Sequence, residues 1–247
     1  MSSSDALSLL LAVSALFIAG VVKGVTGLGY ASCALPLLVV AVGLPSAMAI
    51  IVVPAVVTNL GLAMSAGHLH ETVVKFKWLY LAMIPGILIG GQLLLVTSAN
   101  MAVQVLGSII VAYAVLALAR PQFSLPSVWR APLMVPTGFM NGIMTGLTGA
   151  QVMPLFPYIM ALDLEPQRMV QAINLAVIVG TSMMAAALAH NGVLTLELAV
   201  VSCLAAVPAL IGVACGNATR RLLPIAAFRR ISLLTLLLLG VLMLARQ

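Results

Sequence analysis

Charge is what this chain has least of. Only 6% of its 247 residues are Asp, Glu, Lys or Arg, and 63% are hydrophobic. A soluble domain carries about 25% charged residues, so this chain cannot cover itself with charge and its outside must face lipid. There every backbone polar group needs an internal partner, which leaves helices or closed barrels. Barrel strands alternate apolar and polar positions over roughly ten residues. That alternation is missing too: IIVVPAVV (50–57) and LLTLLLLGVLMLA (233–245) are almost continuously apolar. An all-α polytopic membrane protein is expected.

Other absences exclude chemistry. Cys33, Cys203 and Cys215 lie in apolar runs without C-x-x-C spacing and read as small packing residues. There is no nucleophile elbow, no Walker-type phosphate loop and no H-E-x-x-H. No two carboxylates share an apolar segment. His68-Leu69-His70-Glu71 and His190-Asn191 sit at loop edges, and H-x-H-E is a weak metal signal. No enzyme, no cofactor and no metal site is expected. MSSSDALSLLL lacks a basic n-region, so the first apolar segment reads as retained rather than as a cleaved signal.

What charge exists is informative. The net charge is +6, but the bases fall in short polar breaks rather than on one face, which argues against a nucleic-acid partner and for loop cations that orient a membrane protein. Ten apolar stretches stand between these breaks: 6–22, 30–43, 47–66, 78–96, 101–119, 133–147, 150–162, 169–189, 193–215 and 231–245. A spanning helix takes about 20 residues. The pairs 6–22/30–43 and 133–147/150–162 are short and joined by glycines, so each is two short crossings or one re-entrant hairpin.

The halves echo each other. Gly20, Lys23, Gly24 and Pro36 align on Gly138, Asn141, Gly142 and Pro154; later Ala49-Ile50 matches Ala172-Ile173, and Pro85 matches Pro208. Equivalent breaks carry swapped charge. The break at 67–77 has Lys75 and Lys77, and 97–100 has none; 190–197 has only Glu197, and 216–230 has four arginines. The positive-inside rule puts 67–77, 120–130 and 216–230 on the cytoplasmic side. Equivalent loops on opposite faces imply inverted repeats. The expected plan is one transmembrane domain over 1–247. Repeat one spans 6–119, a basic cytoplasmic linker 120–131 and repeat two 132–247. Each repeat is a glycine-broken short helix pair followed by three spanning helices, about 8–10 transmembrane segments in all.

The candidate site is the break GVVKGVTGLGY (20–30) with its echo GFMNGIMTGLTGAQ (138–151). Glycines permit positive φ and close backbone approach, and a helix start after a break offers N–H groups to an anion. Gly20, Gly24, Gly138 and Gly142 also fit a G-x-x-x-G packing seam. Thr26, Gly27, Gly29, Thr145, Gly146, Thr148, Gly149 and Gln151 are expected to contact substrate. Lys23 is either a functional intramembrane charge or a helix-end lysine reaching the interface; Asn141 is taken as its counterpart. Asn59, with Thr58, and Asn174, with Thr181 and Ser182, either face a pathway or bond between helices. Gly240, in the last apolar run, is expected to be neutral.

The paired glycine motifs, LPLL at 35–38 and MPLF at 153–156, and the return of both after about 120 residues resemble the sulfite exporter TauE/SafE family. The resemblance covers nearly the whole chain. It implies a multi-pass permease of a bacterial inner membrane, exporting a small sulfur-containing anion such as sulfite, thiosulfate or an organosulfonate. Its partners would be that anion and the bilayer, with a homodimer possible. Alternatives from other classes are a cation or metal permease and a membrane assembly factor.

Overall fold

The computed structural model describes residues 3–65, 67–119, 124–220 and 225–245. Arg120, Arg221 and Arg246, which carry part of the charge reading, lie outside them. The first half runs α1 (Ser3–Thr26), α2 (Tyr30–Val42), α3 (Leu44–Ile50), α4 (Val52–Ser65), α5 (Leu69–Val96) and α6 (Ala99–Ala119). The second runs α7 (Ser127–Arg130), α8 (Met134–Thr148), α9 (Leu155–Met160), α10 (Pro166–His190), α11 (Leu196–Thr219) and α12 (Ile225–Ala245). Among the described residues five helices (α1 from Leu9, α5, α6, α10 and α11) are long and apolar enough to cross a bilayer, and α3 with α4 would make a sixth across a 40° bend. The chain is a polytopic, all-α membrane protein.

Two expectations about the helices need correction. The first glycine-joined pair is not two short helices, because α1 runs unbroken for 24 residues through Gly20, Lys23 and Gly24. Those glycines stay helical against a neighbour, and the break begins only at Gly27, with φ +78°. In the second half the short reading holds: α8 has 15 residues and α9 has 6. The expected span 47–66 is broken at Ile51. Pro54 has no N–H to give the Ile50 carbonyl one turn back. The Ser202 hydroxyl donates to that carbonyl at 2.9 Å and accepts the Val53 N–H at 3.0 Å, so α11 satisfies the bend. The charged breaks are also shorter than expected: Lys75 and Lys77 lie in α5, and Arg229 and Arg230 in α12.

Side-chain contacts fix which helix ends lie together. Arg168 meets Glu71 at 2.8 Å and Thr72 donates to Gln171, while at the far end Gln92 and Gly91 meet Asn191. So α5 and α10 run side by side in one direction. Gln171 reaches Ala63 near the end of α4, so α4 runs against α10. Ser202, early in α11, meets the start of α4, so α11 runs with α4. Gly240 packs on Gly107, and Arg229 and Ala117 line one cleft, so α6 and α12 are antiparallel. One end of the bundle therefore gathers Lys75, Lys77, Arg130, Arg168, Arg220, Arg229 and Arg230. At the other, around 97–98 and 191–195, no Lys or Arg occurs. The charge pattern paired 67–77 with 216–230 and 97–100 with 190–197, and the contacts pair the ends in the same way.

Two glycine seams bring α1 onto α11 and α8 onto α5. A Cβ on Gly20 would strike the Ala209 carbonyl oxygen; one on Gly24 would strike that of Val213 and lie 2.9 Å from Gly216 Cα. On the other seam, a Cβ on Gly142 would strike the Met83 carbonyl oxygen; one on Gly146 would strike that of Ile87 and lie 2.7 Å from Gly91 N. In lipid, helix association rests on such close backbone packing rather than on hydrophobic drive.

The seams match glycines one helical turn away from the alignment read in sequence. Gly138, Gly142 and Gly146 each lie on an α5 carbonyl, so the return contacts decide: Gly212 and Gly216 pack back on the Phe17 and Val21 carbonyls as Gly86 and Gly90 pack back on those of Phe139 and Ile143. Gly20 therefore corresponds to Gly142 rather than Gly138, and Lys23 to Thr145 rather than Asn141. Glycines at 138, 142 and 146 recur every helical turn, so in sequence both registers fit. Gly240 is not neutral either, since a Cβ there would come within 2.8 Å of Val111.

Candidate functional site

The two breaks share one local build. Thr26 Oγ1 donates to the Val22 carbonyl at 2.8 Å and accepts the Leu28 N–H at 3.3 Å. Thr148 Oγ1 donates to the Met144 carbonyl at 2.7 Å and accepts the Ala150 N–H at 3.2 Å. Each threonine closes its helix end and hands over to a left-handed glycine, Gly27 at φ +78° and Gly149 at φ +76°. Thr145 is likewise committed locally, donating to the Asn141 carbonyl at 2.7 Å. A ligand contact by any of the three would have to share its oxygen with these backbone bonds. Gly146 lies in the α5 seam. Gly149 faces Leu35 of α2 and Met48 of α3, so the second break crosses the element that follows the first.

Beyond the first break, Gly29 holds φ +84° as the cap of α2, and a side chain there would meet nothing within 4 Å. The first bond back along α2 runs from Cys33 N–H to the Gly29 carbonyl. The N–H groups of the first turn before it have no carbonyl one turn back to bond. They border a cavity of about 10 Å³ lined by Leu28 to Ser32 with Asn59, Gln151, Phe156, Ile173 and Val177. Both breaks and two spanning helices thus contribute to one space. Two of its lining residues have a buried polar atom without a bonding partner, Tyr30 Oη and Gln151 Oε1. Gln151 Nε2 donates to Thr181 Oγ1 at 2.8 Å. Turning that amide over would let the Thr181 hydroxyl donate instead and leave an N–H in place of the unpartnered oxygen. Asn141 is also fully buried, donating to the Met153 carbonyl, with Oδ1 unpartnered.

Lys23 decides the electrostatics. It is 1% exposed, so it does not reach the interface. Its Nζ donates to Asn59 Oδ1 at 2.7 Å and to Asn174 Oδ1 at 3.0 Å. Each asparagine is oriented by its own helix, Asn59 Nδ2 on the Ala55 carbonyl and Asn174 Nδ2 on that of Val170, so both oxygens turn to the lysine. An ammonium has three N–H donors, and these bonds use two. The ion pairs among the described residues, Arg130–Asp163, Arg168–Glu71 and Arg168–Glu165, all lie at the cation-rich end. Lys23 belongs to none of them. Asn59 links its ammonium to the cavity wall.

Comparison with protein families matches residues 12–243 to the sulfite exporter TauE/SafE model. The chain belongs to the sulfite exporter TauE/SafE family. No curated protein and no solved structure matches it. As a TauE/SafE protein it is a membrane transporter, and the family name points to sulfur-containing anions. Within this family member, sequence reasoning missed Tyr30 as a cavity residue and Gln171 as the tie between α4, α5 and α10. Tyr30 had a signal: it is the first residue after a glycine break, where a helix start places its neighbours on the site.

Proposed function

We propose that this TauE/SafE protein exports a small sulfur oxyanion or organosulfonate from the cytoplasm across a bacterial inner membrane. The observation that carries this is Lys23, a buried amine held by two uncharged amide oxygens and by no carboxylate among the described residues. A charge buried in a bilayer is costly, and an anionic substrate would supply the missing counter-charge. The first turn of α2, Tyr30 and Gln151 would add donors to its oxygens. The same observation disfavours the cation reading, since a cation would enter beside a fixed positive charge.

The cavity of about 10 Å³ is at the lower limit for one water, so an oxyanion cannot enter without movement. Gly27, Gly29 and Gly149 stand where the breaks would open. The corrected glycine register and the opposite directions of equivalent helices support two inverted halves rocking about this midpoint. The cation-rich end would be cytoplasmic. Potential-driven efflux suffices in principle, because an anion leaving a negative interior gains about 2.3 kcal/mol per charge per 100 mV.

Proteoliposomes loaded with sulfite, thiosulfate, sulfoacetate or sulfate test the reading, with sodium and zinc as cation arms. At least one sulfur anion should move, and Lys23→Gln should weaken its binding about 10- to 150-fold, the value of a hydrogen bond to a charged group. Cation flux without anion flux, or unchanged anion affinity in Lys23→Gln, would refute it.

A further inference from the structure

A well-formed cleft lies away from Lys23, at the cation-rich end. It has a volume of about 410 Å³ and is bordered by α6, α8, the 154–161 segment and the start of α12. Its walls are mostly carbon, from residues such as Leu116, Leu125, Leu133 and Pro157, and among the described residues Arg229 is its one charged residue. A second cleft of about 410 Å³ adjoins it, sharing Ala117 and Arg229 and adding Arg230 and Leu234. Among the described residues no acidic side chain lines either one, and neither arginine is in an ion pair. Leu116 and Leu234 are exposed on the lipid-facing side of α6 and α12.

We infer that these joined clefts bind an anionic phospholipid, one acyl chain in the apolar cleft and the phosphate on Arg229 and Arg230. The chemistry separates this from a substrate vestibule. A small hydrated oxyanion gains nothing from a carbon-lined space in the size range of a ligand pocket. An acyl chain gains by filling it. Paired arginines at a membrane boundary suit a phosphate, because guanidinium groups bind its oxygens in pairs. Basic pockets between helices at the cytoplasmic face are a general form of headgroup site.

Native mass spectrometry of the purified protein tests this, after incubation with phosphatidylglycerol or phosphatidylcholine of equal chain length. Phosphatidylglycerol should be retained in clear excess. Each arginine contributes about fivefold, so Arg229→Gln with Arg230→Gln should cut retention roughly 25-fold, while Arg220→Gln, at the same end but outside the clefts, should leave it unchanged. Ala117→Trp, which fills the junction and keeps both arginines, should also lower retention, and a thermal midpoint for each variant separates loss of lipid from loss of fold. Glycerol phosphate should not displace the lipid. Equal retention of the two lipids, full retention by the double arginine variant or by Ala117→Trp, or displacement by glycerol phosphate would overturn the inference. None of these outcomes depends on what the permease carries.

Discussion

One methyl group on Gly146 should lift α8 off α5. The added Cβ would run into the Ile87 carbonyl oxygen and stand 2.7 Å from Gly91 N and 2.9 Å from Gly90 C. All three are backbone atoms, so no rotamer change relieves the contact and the helices must part. Overpacking costs about 1–3 kcal/mol, and a backbone collision belongs at the upper end. Replacing glycine by alanine within a helix returns about 1 kcal/mol. The net loss is then about 2 kcal/mol, which at about 2–4 °C per kcal/mol for a chain of this size lowers the midpoint by roughly 4–8 °C. Gly61→Ala is the control: it is helical, meets nothing within 4 Å, and should hold or raise the midpoint. Scanning fluorimetry on detergent-purified protein gives both values. Flux per folded molecule in Gly146→Ala should stay near wild type, because the residue packs a seam rather than lining the cavity. Equal midpoints for the two variants would refute the seam. A collapse in flux with an unchanged midpoint would return Gly146 to the substrate site.

Gly29→Ala forces a left-handed backbone at φ +84°, costing about 1–2 kcal/mol, and should cut flux by displacing the start of α2; Gly29→Asn should recover most of it, since asparagine tolerates that region. Unchanged flux in Gly29→Ala would remove the α2 start from the pathway. Ser202→Ala leaves the Ile50 carbonyl and the Val53 N–H without their partner, and should cost about 1–3 kcal/mol, read as a lower thermal midpoint. Single cysteines at Ser98 and Gly192, in a background lacking Cys33, Cys203 and Cys215, should react with an impermeant reagent from outside the cell, and those at His68 and Arg220 should not. Labelling of Ser98 and Arg220 from the same side would overturn the topology.

Much of the molecule was legible before any coordinates. Lipid exposure, helices rather than strands, and the two glycine motifs follow from local composition, because a bilayer leaves a chain few ways to satisfy its backbone. The grouping of helix ends was legible in the swapped charges, since Lys75 and Lys77 lie at one end of α5 and Thr97-Ser98 at the other. The site was half legible. Lys23, Asn59 and Gln151 stood out as polar residues in apolar runs. Thr26, Thr145 and Thr148 stood out equally, yet their hydroxyls bond the preceding turn of their own helices. Sequence does not distinguish a threonine facing a pathway from one bonding its own preceding turn.

What the sequence by itself determined is therefore the solvent, the helical class and the places where helices must break. These depend on residue type and near neighbours: hydropathy over about 20 residues, glycine at positive φ and the missing N–H of proline. Only the tertiary structure decided which seam glycines match and the partners of Lys23. Three glycines spaced by one turn present the same face in either register, and it takes the return contacts of Gly86 and Gly90 on the Phe139 and Ile143 carbonyls to choose between them. Lys23 could have reached the interface; Asn59, 36 positions away, and Asn174, 151 positions away, hold it inside instead. Contacts that distant are set by how whole helices pack, and no local pattern encodes which side chains will meet.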